Sequence, residues 1–141
     1  DPRHGVILGM LNSSKLPAAF TPGDDNHEKG YTSRSQMKMI FNDDKKSITI
    51  ETPGGNKMII TDEDKKVHLE DQNGNILTMN EDGISIESIK DIKIKASGDV
   101  KIEGTNLNIK GSSQVKVDGG SGTEISSGGT TNVKGSMVNI N

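Results

Sequence analysis

Ile92-Lys93-Ile94-Lys95-Ala96-Ser97-Gly98-Asp99-Val100-Lys101-Ile102-Glu103-Gly104 is the stretch that decides how this chain folds. Two apolar residues flank one outward residue, a small residue follows two places later, and the unit restarts eight residues on. The same unit continues in both directions. Its pairs are Ile84/Ile86, Ile92/Ile94, Val100/Ile102, Leu107/Ile109, Val115/Val117, Thr123/Ile125, Thr131/Val133 and Val138/Ile140. The small residues are Ser88, Ala96, Gly104, Gly111, Gly119, Ser127 and Gly135. Apolar residues at i and i+2 mark a short strand with one inward face. A fixed short period marks a solenoid, and a small residue lets the chain turn a corner. The expected product is a stiff, stacked β rod with a mechanical role.

Composition says how such a rod must be held. Hydrophobic residues make up 29% of the 141, and aromatics 2%, with none after Phe41. Ordinary domains carry roughly 45–50% apolar residues, glycine included. A lone chain this poor in apolar mass offsets its conformational entropy badly. Disorder would fit the low hydrophobicity, but not phased isoleucine and valine, which are strong strand formers. A core shared between chains fits both.

Charge and cysteine content narrow the function classes. The net charge is −3, from 17 basic and 20 acidic side chains. Lys90, Lys93, Lys95, Lys101, Lys110, Lys116 and Lys134 fall mostly at outward positions, where they solvate the rod and discourage edge pairing. Asp91, Asp99, Glu103 and Asp118 are interleaved with them, and aromatic residues are missing, so a nucleic-acid surface is not expected. There is no cysteine, hence no disulfide framework and no thiolate metal site, which suits a reducing cytoplasm. No run of 18 apolar residues and no signal peptide is visible. The chain starts at Asp1 rather than Met, so a longer parent protein is expected.

Three regions emerge along the chain. Residues 1–36 hold one compact apolar strand, Val6 to Leu11, then Pro17, Pro22, Gly23 and the pair Asp24–Asp25; they read as the last strand of an upstream domain and a connecting loop. Residues 37–83 form strands at longer spacing, with alternation at Met39/Phe41, Ile48/Ile50, Met58/Ile60, Val67/Leu69 and Leu77/Met79. Here Ile48 to Asn56 matches Val67 to Asn75 at a shift of nineteen residues, each copy reading strand, Gly-Asn turn, strand. Residues 84–141 are the octad array. The glycines at 119–122 and 128–129 read as corners, because Ile125 and Val133 keep the eight-residue phase.

The octads favour three chains over one. A single-chain coil would use three octads per turn, and eight octads give fewer than three turns. Three intertwined chains triple the rungs and remove lateral edges. The expected fold is all-β, a homotrimeric intertwined triangular β-helix, or β-prism. Its trimer core would be Ile84, Ile86, Ile92, Ile94, Val100, Ile102, Leu107, Ile109, Val115, Val117, Ile125 and Val133. Thr123 and Thr131 share the inward positions as β-branched fillers whose hydroxyls could pair or enclose water. Thirteen rungs from Met39/Phe41 would stack to roughly 60 Å.

Asn26 to Ser35 running into Ile40-Phe41-Asn42-Asp43, the turns Glu51 to Asn56 and Asp71 to Asn75, and the closing Lys134 to Asn141 together resemble the C-terminal half of VgrG-type spikes of type VI secretion systems. The octads are also similar to the tail-spike shaft of contractile T-even phages. The resemblance spans essentially the whole chain. It implies that Val6 to Leu11 end an OB-fold, and that the molecule is a trimeric cell-puncturing spike. Such a spike would sit on an Hcp-like tube protein through its N-terminal region, be assembled in the bacterial cytoplasm, and be driven through a target membrane. It also implies a PAAR-type tip or effector docked at the blunt end, Met137, Val138, Asn139, Ile140 and Asn141. Phage spikes often finish in metal-binding histidines. His4, His27 and His68 are the only histidines here and none is near the C-terminus, which favours a separate tip protein.

No catalytic or cofactor chemistry is expected. Asp71-Gln72-Asn73-Gly74-Asn75 has the opening spacing of a calcium loop, but Ile76 stands where glycine is required and Asp82 where a bidentate glutamate is; a hairpin turn is the better reading. His68, between Val67 and Leu69, points outward and reads as inert surface. The carboxylates have no aromatic platform for sugar beside them. An adhesin fibre would want exposed aromatics or an acidic cluster on one face. A pectin-cleaving β-helix would want aligned Asp, Arg and Lys, yet Arg3 and Arg34 are the only arginines.

Overall fold

A computed structural model describes residues 24–140. It is all-β. Seven strands of five residues follow one another: β1 (Glu28–Thr32), β2 (Lys38–Asn42), β3 (Ser47–Glu51), β4 (Lys57–Thr61), β5 (Lys66–Glu70), β6 (Ile76–Asn80) and β7 (Gly83–Glu87). Each pairs antiparallel with the next, giving one sheet in the order β1 to β7. No helix occurs among the described residues. The alternating pairs of the sequence each fall within one strand, from Met39/Phe41 in β2 to Ile84/Ile86 in β7. The first octad pair therefore closes this sheet. The apolar strand at Val6 to Leu11 and its loop up to Gly23 lie outside the described residues.

The nineteen-residue repeat has a structural basis in two kinds of turn. Five-residue turns follow β1, β3 and β5, and four-residue turns follow β2 and β4. Strand starts consequently recur at Glu28, Ser47 and Lys66, and again at Lys38, Lys57 and Ile76. The five-residue turns share one hydrogen-bond pattern. The Ser33 N–H donates to the Met37 carbonyl, Thr52 to Asn56 and Asp71 to Asn75, at 2.9–3.0 Å. Inside each turn Gln36, Gly55 and Gly74 donate back to the first residue, and all three have positive φ, at 65°, 99° and 86°. Glycine takes that conformation without strain at two of the three places. The four-residue turns place Lys46 and Lys65 at φ near 48° and 47°, a conformation lysine adopts at some cost. After β6 the loop shrinks to Glu81 and Asp82, with Gly83 at φ 122°, and the repeat stops.

The chain divides after Ile94 into two units, the second running from Lys95. In the second unit no strand forms among the described residues. Its backbone bends instead at 97–98, 105, 112–113, 120–121, 128–129 and 136, and a like bend at 89–90 precedes it in the first unit. Each bend comes directly after one of the small residues, from Ser88 to Gly135. The repeat, eight residues long except for the seven from Gly104 to Gly111, is thus a repeat of corners. At Gly111 an added Cβ would press on the Gln114 carbonyl carbon at 2.9 Å. At Gly119 it would meet the Gly122 carbonyl and come within 2.7 Å of Thr123 Oγ1. At Gly104 the closest atom would be the Asn106 carbonyl oxygen at 3.5 Å, an ordinary contact.

Alanine should separate these corners. Gly111→Ala and Gly119→Ala force backbone apart and should destabilise the assembled protein by about 1–3 kcal/mol per chain. Gly104→Ala fits and should be neutral or stabilising by up to about 1 kcal/mol. Denaturant unfolding of the three variants checks this; equal losses at all three would refute the steric account.

Candidate functional site

Pleating sends alternate residues of a strand to opposite faces, and the register decides what each face of the sheet carries. One face holds two cross-strand rows. The first runs Met39, Ile50, Met58, Leu69, Leu77, Ile86, and the second Phe41, Ile48, Ile60, Val67, Met79, Ile84. All twelve are apolar. Beyond them β1 adds Tyr31 beside Met39 and Lys29 beside Phe41, and Lys29 turns its ammonium to the Asp43 carboxylate and the Asn26 carbonyl. The opposite face is mixed and largely polar. It carries Lys38, Glu51, Lys57 and Glu70 as a row of alternating charge, with a 3.0 Å ion pair from Lys38 to Glu51.

His68 lies on that polar face. Its Nδ1 is 3.0 Å from Thr78 Oγ1 and its Nε2 3.6 Å from the Glu70 carboxylate. These are cross-strand and i, i+2 neighbours on a sheet surface. No group of three or more His, Cys, Asp or Glu is placed to hold a metal ion among the described residues.

Nothing among the described residues covers the apolar face. Among the described residues no hydrophobic side chain is buried, and Thr61 alone is buried at all. Even Leu69, in the middle of the sheet, is 39% exposed. Ile84 and Ile86 stand at the end of the two rows. Of the other residues expected in the core, Ile92 and Ile94 belong to the sheet's unit. Val100, Ile102, Leu107, Ile109, Val115, Val117, Ile125 and Val133 belong to the second. These ten are 53–77% exposed. Met137, Val138, Asn139 and Ile140 are exposed as well, and Asn141 lies outside the described residues. The core expected from the octads began at Ile84. The sheet carries the same kind of surface back to Met39 and Phe41, and the i, i+2 alternation of residues 39–79 was the signal for it.

The first row opens into a groove of about 590 Å³, floored by Ile50, Met58, Leu69, Leu77 and Ile86, with Ile92 at its end. Hydrogen-bonded turns build the rim. The Asp71 carboxylate accepts from the backbone N–H groups of Asn75 and Asn73, at 2.9 and 2.8 Å. It also accepts from both side-chain amides, at 2.8 and 3.2 Å. Asn75 in turn accepts from the Ser88 hydroxyl at 2.8 Å, which ties the chain leaving β7 to this turn. Gln72 donates to Asn56 of the neighbouring turn at 3.2 Å. With its lone pairs committed to these donors, Asp71 is a turn anchor.

The model of one family, the phage baseplate V C-terminal trimerisation domain, matches residues 47–121. That stretch runs from β3 through the sheet and into the octads, and is more than half of the chain. No curated protein matches.

Hydrogen bonds hold the Asp71 carboxyl well below the usual carboxylate range. The Asn75 N–H contributes most, followed by the Asn75 and Asn73 amides. A native pKa below the unfolded value of about 3.9 means that the stabilisation is full above that pH and is lost as pH falls towards the depressed native value. Asp71→Asn should therefore lower the melting temperature at pH 7, and should narrow the drop in melting temperature between pH 5 and pH 2. Thermal scans of both proteins across that range test it; parallel pH profiles would show that the turn contributes nothing.

Proposed function

The chain belongs to the family of phage baseplate V C-terminal trimerisation domains, a structural part of a baseplate, and from that premise we propose that three copies form the shaft of a spike in a contractile injection machine. One observation carries this reading: an apolar surface two residues wide crosses six strands of the sheet, β2 to β7, and no hydrophobic side chain is buried among the described residues. Three copies provide that cover. A five-residue strand spans about 17 Å, and a stack of seven about 29 Å. In a triangle of three sheets the centre lies about 5 Å from each side if strands form the sides, and about 8 Å away if the stack does. Facing sheets pack about 10 Å apart, so side chains fill about 5 Å from each. The shared axis then runs along the two apolar rows, with strands across it.

In this reading residues 37–83 make a wider section of the prism, residues 84–141 an intertwined octad shaft, and residues 1–36 the link from an OB-fold. The corners at seven- or eight-residue intervals suit a three-sided winding, and backbone groups that lack partners in one chain pair with neighbouring chains. The machine is a type VI secretion system with a VgrG-like spike. The spike is assembled in the bacterial cytoplasm on an Hcp-like tube, pierces a target membrane, and carries a PAAR-type tip or effector on Met137 to Asn141. The family's phage baseplate setting supports a second reading, the tail spike of a contractile phage or phage-like particle.

Light scattering should give three times 15.1 kDa, and mild heating in SDS should leave the trimer intact. A folded monomer would overturn the proposal. Leu69→Lys places a charge on the apolar face and should abolish the trimer, whereas Thr49→Lys, on the polar face, should leave the mass unchanged.

A further inference from the structure

Resting on the trimer reading, we infer that each chain buries its first apolar row against the second row of the next chain, so that Leu69 of one protomer faces Val67 of its neighbour. The observations behind this are the two rows, the placement of the turns, and the requirements of a three-fold axis.

The five-residue turns 33–37, 52–56 and 71–75 all lie at one end of the strands, and the loops 43–46, 62–65 and 81–82 at the other. The first row (Met39, Ile50, Met58, Leu69, Leu77, Ile86) is the one nearer the five-residue turns. The second (Phe41, Ile48, Ile60, Val67, Met79, Ile84) is nearer the short loops. When strands form the sides of a triangle, a three-fold rotation sends them round it in one direction. Every corner then joins the five-residue-turn end of one chain to the short-loop end of the next. This is a heterologous contact that closes after three copies. At each level six apolar side chains ring the axis, alternating between the rows, and the groove over Ile50, Met58, Leu69 and Leu77 receives the second row of the adjacent chain.

Charge agrees with this arrangement. The short loops are charged, Asp43-Asp44-Lys45-Lys46, Asp62-Glu63-Asp64-Lys65 and Glu81-Asp82. The turns 33–37, 52–56 and 71–75 carry only Arg34 and Asp71, the latter engaged by Asn73 and Asn75. Head-to-tail corners set charged loops against nearly neutral turns. Joining short-loop ends would instead bring Asp62, Glu63 and Asp64 against their own copies, and like charges at contact repel.

The chain has no cysteine, so introduced thiols report without background. Val67→Cys and Leu69→Cys chains, one carrying a tag, would be prepared separately and co-expressed. Each preparation would be sized by light scattering, oxidised to form disulfides, which need Cβ atoms about 3.5–4.5 Å apart, and run in denaturing gels without reductant. The expected result is a covalent tagged–untagged pair in the co-expressed sample and little or no cross-linked dimer in either single preparation. A trimeric mass with cross-linking in the single preparations would mean that like residues meet, and would overturn the pairing alone. A trimeric mass with no cross-link anywhere would do the same by showing that another face is buried. A monomeric mass would overturn the trimer reading, and this pairing with it.

Discussion

The structure depends on one constraint, the separation of its two kinds of cohesion. Backbone hydrogen bonds of the sheet are satisfied inside the chain, strand by strand. Apolar burial is not satisfied inside the chain anywhere among the described residues. Hydrogen bonding alone contributes modestly to net stability, because the unfolded chain bonds to water; burial is the larger favourable contribution. A polypeptide with the first and without the second has a defined local shape but no reason to keep it. Folding and association are therefore one process here, and the folded state belongs to the assembly.

Turn chemistry sets the geometry of what associates. Alternating loops of five and four residues keep every strand at five residues and in register, so the apolar rows stay straight across six strands. A one-residue slip in any loop would flip a strand and put its polar residues on the apolar face. The internal bonding of the turns, with Asp71 gripped by Asn73 and Asn75, is fitted to prevent that. The tie from Ser88 to Asn75 then fixes where the chain leaves the sheet and enters the octads.

Much of this was legible in the sequence because period-2 and period-8 patterns are written in side chains. The strands from Met39 to Ile86 follow from alternation, and the corners from the small residues that precede each bend. Other features were not legible. β1 reads Glu28-Lys29-Gly30-Tyr31-Thr32, with one large apolar residue, so no alternation marks it; pairing with β2 makes it a strand. Lys46 and Lys65 occupy left-handed turn positions for which nothing in lysine announces a preference. The octads reveal their period but not their hydrogen-bond partners, because a strand pattern does not say which chain supplies the neighbouring edge. The extent of the apolar surface was half visible. Its members were recognised as strand residues, while the register that aligns them into two rows exists only once the turns are known.

The corners carry a consequence for how the octad region changes length. Each bend follows its small residue directly, and at Gly111 and Gly119 the backbone packs where a side chain would stand. The small residues stand eight apart except for the seven from Gly104 to Gly111, so each unit of seven or eight residues brings its own apolar pair and its own corner. Adding or removing a whole unit preserves both. Length in this region is therefore quantised, each increment closed by one bend.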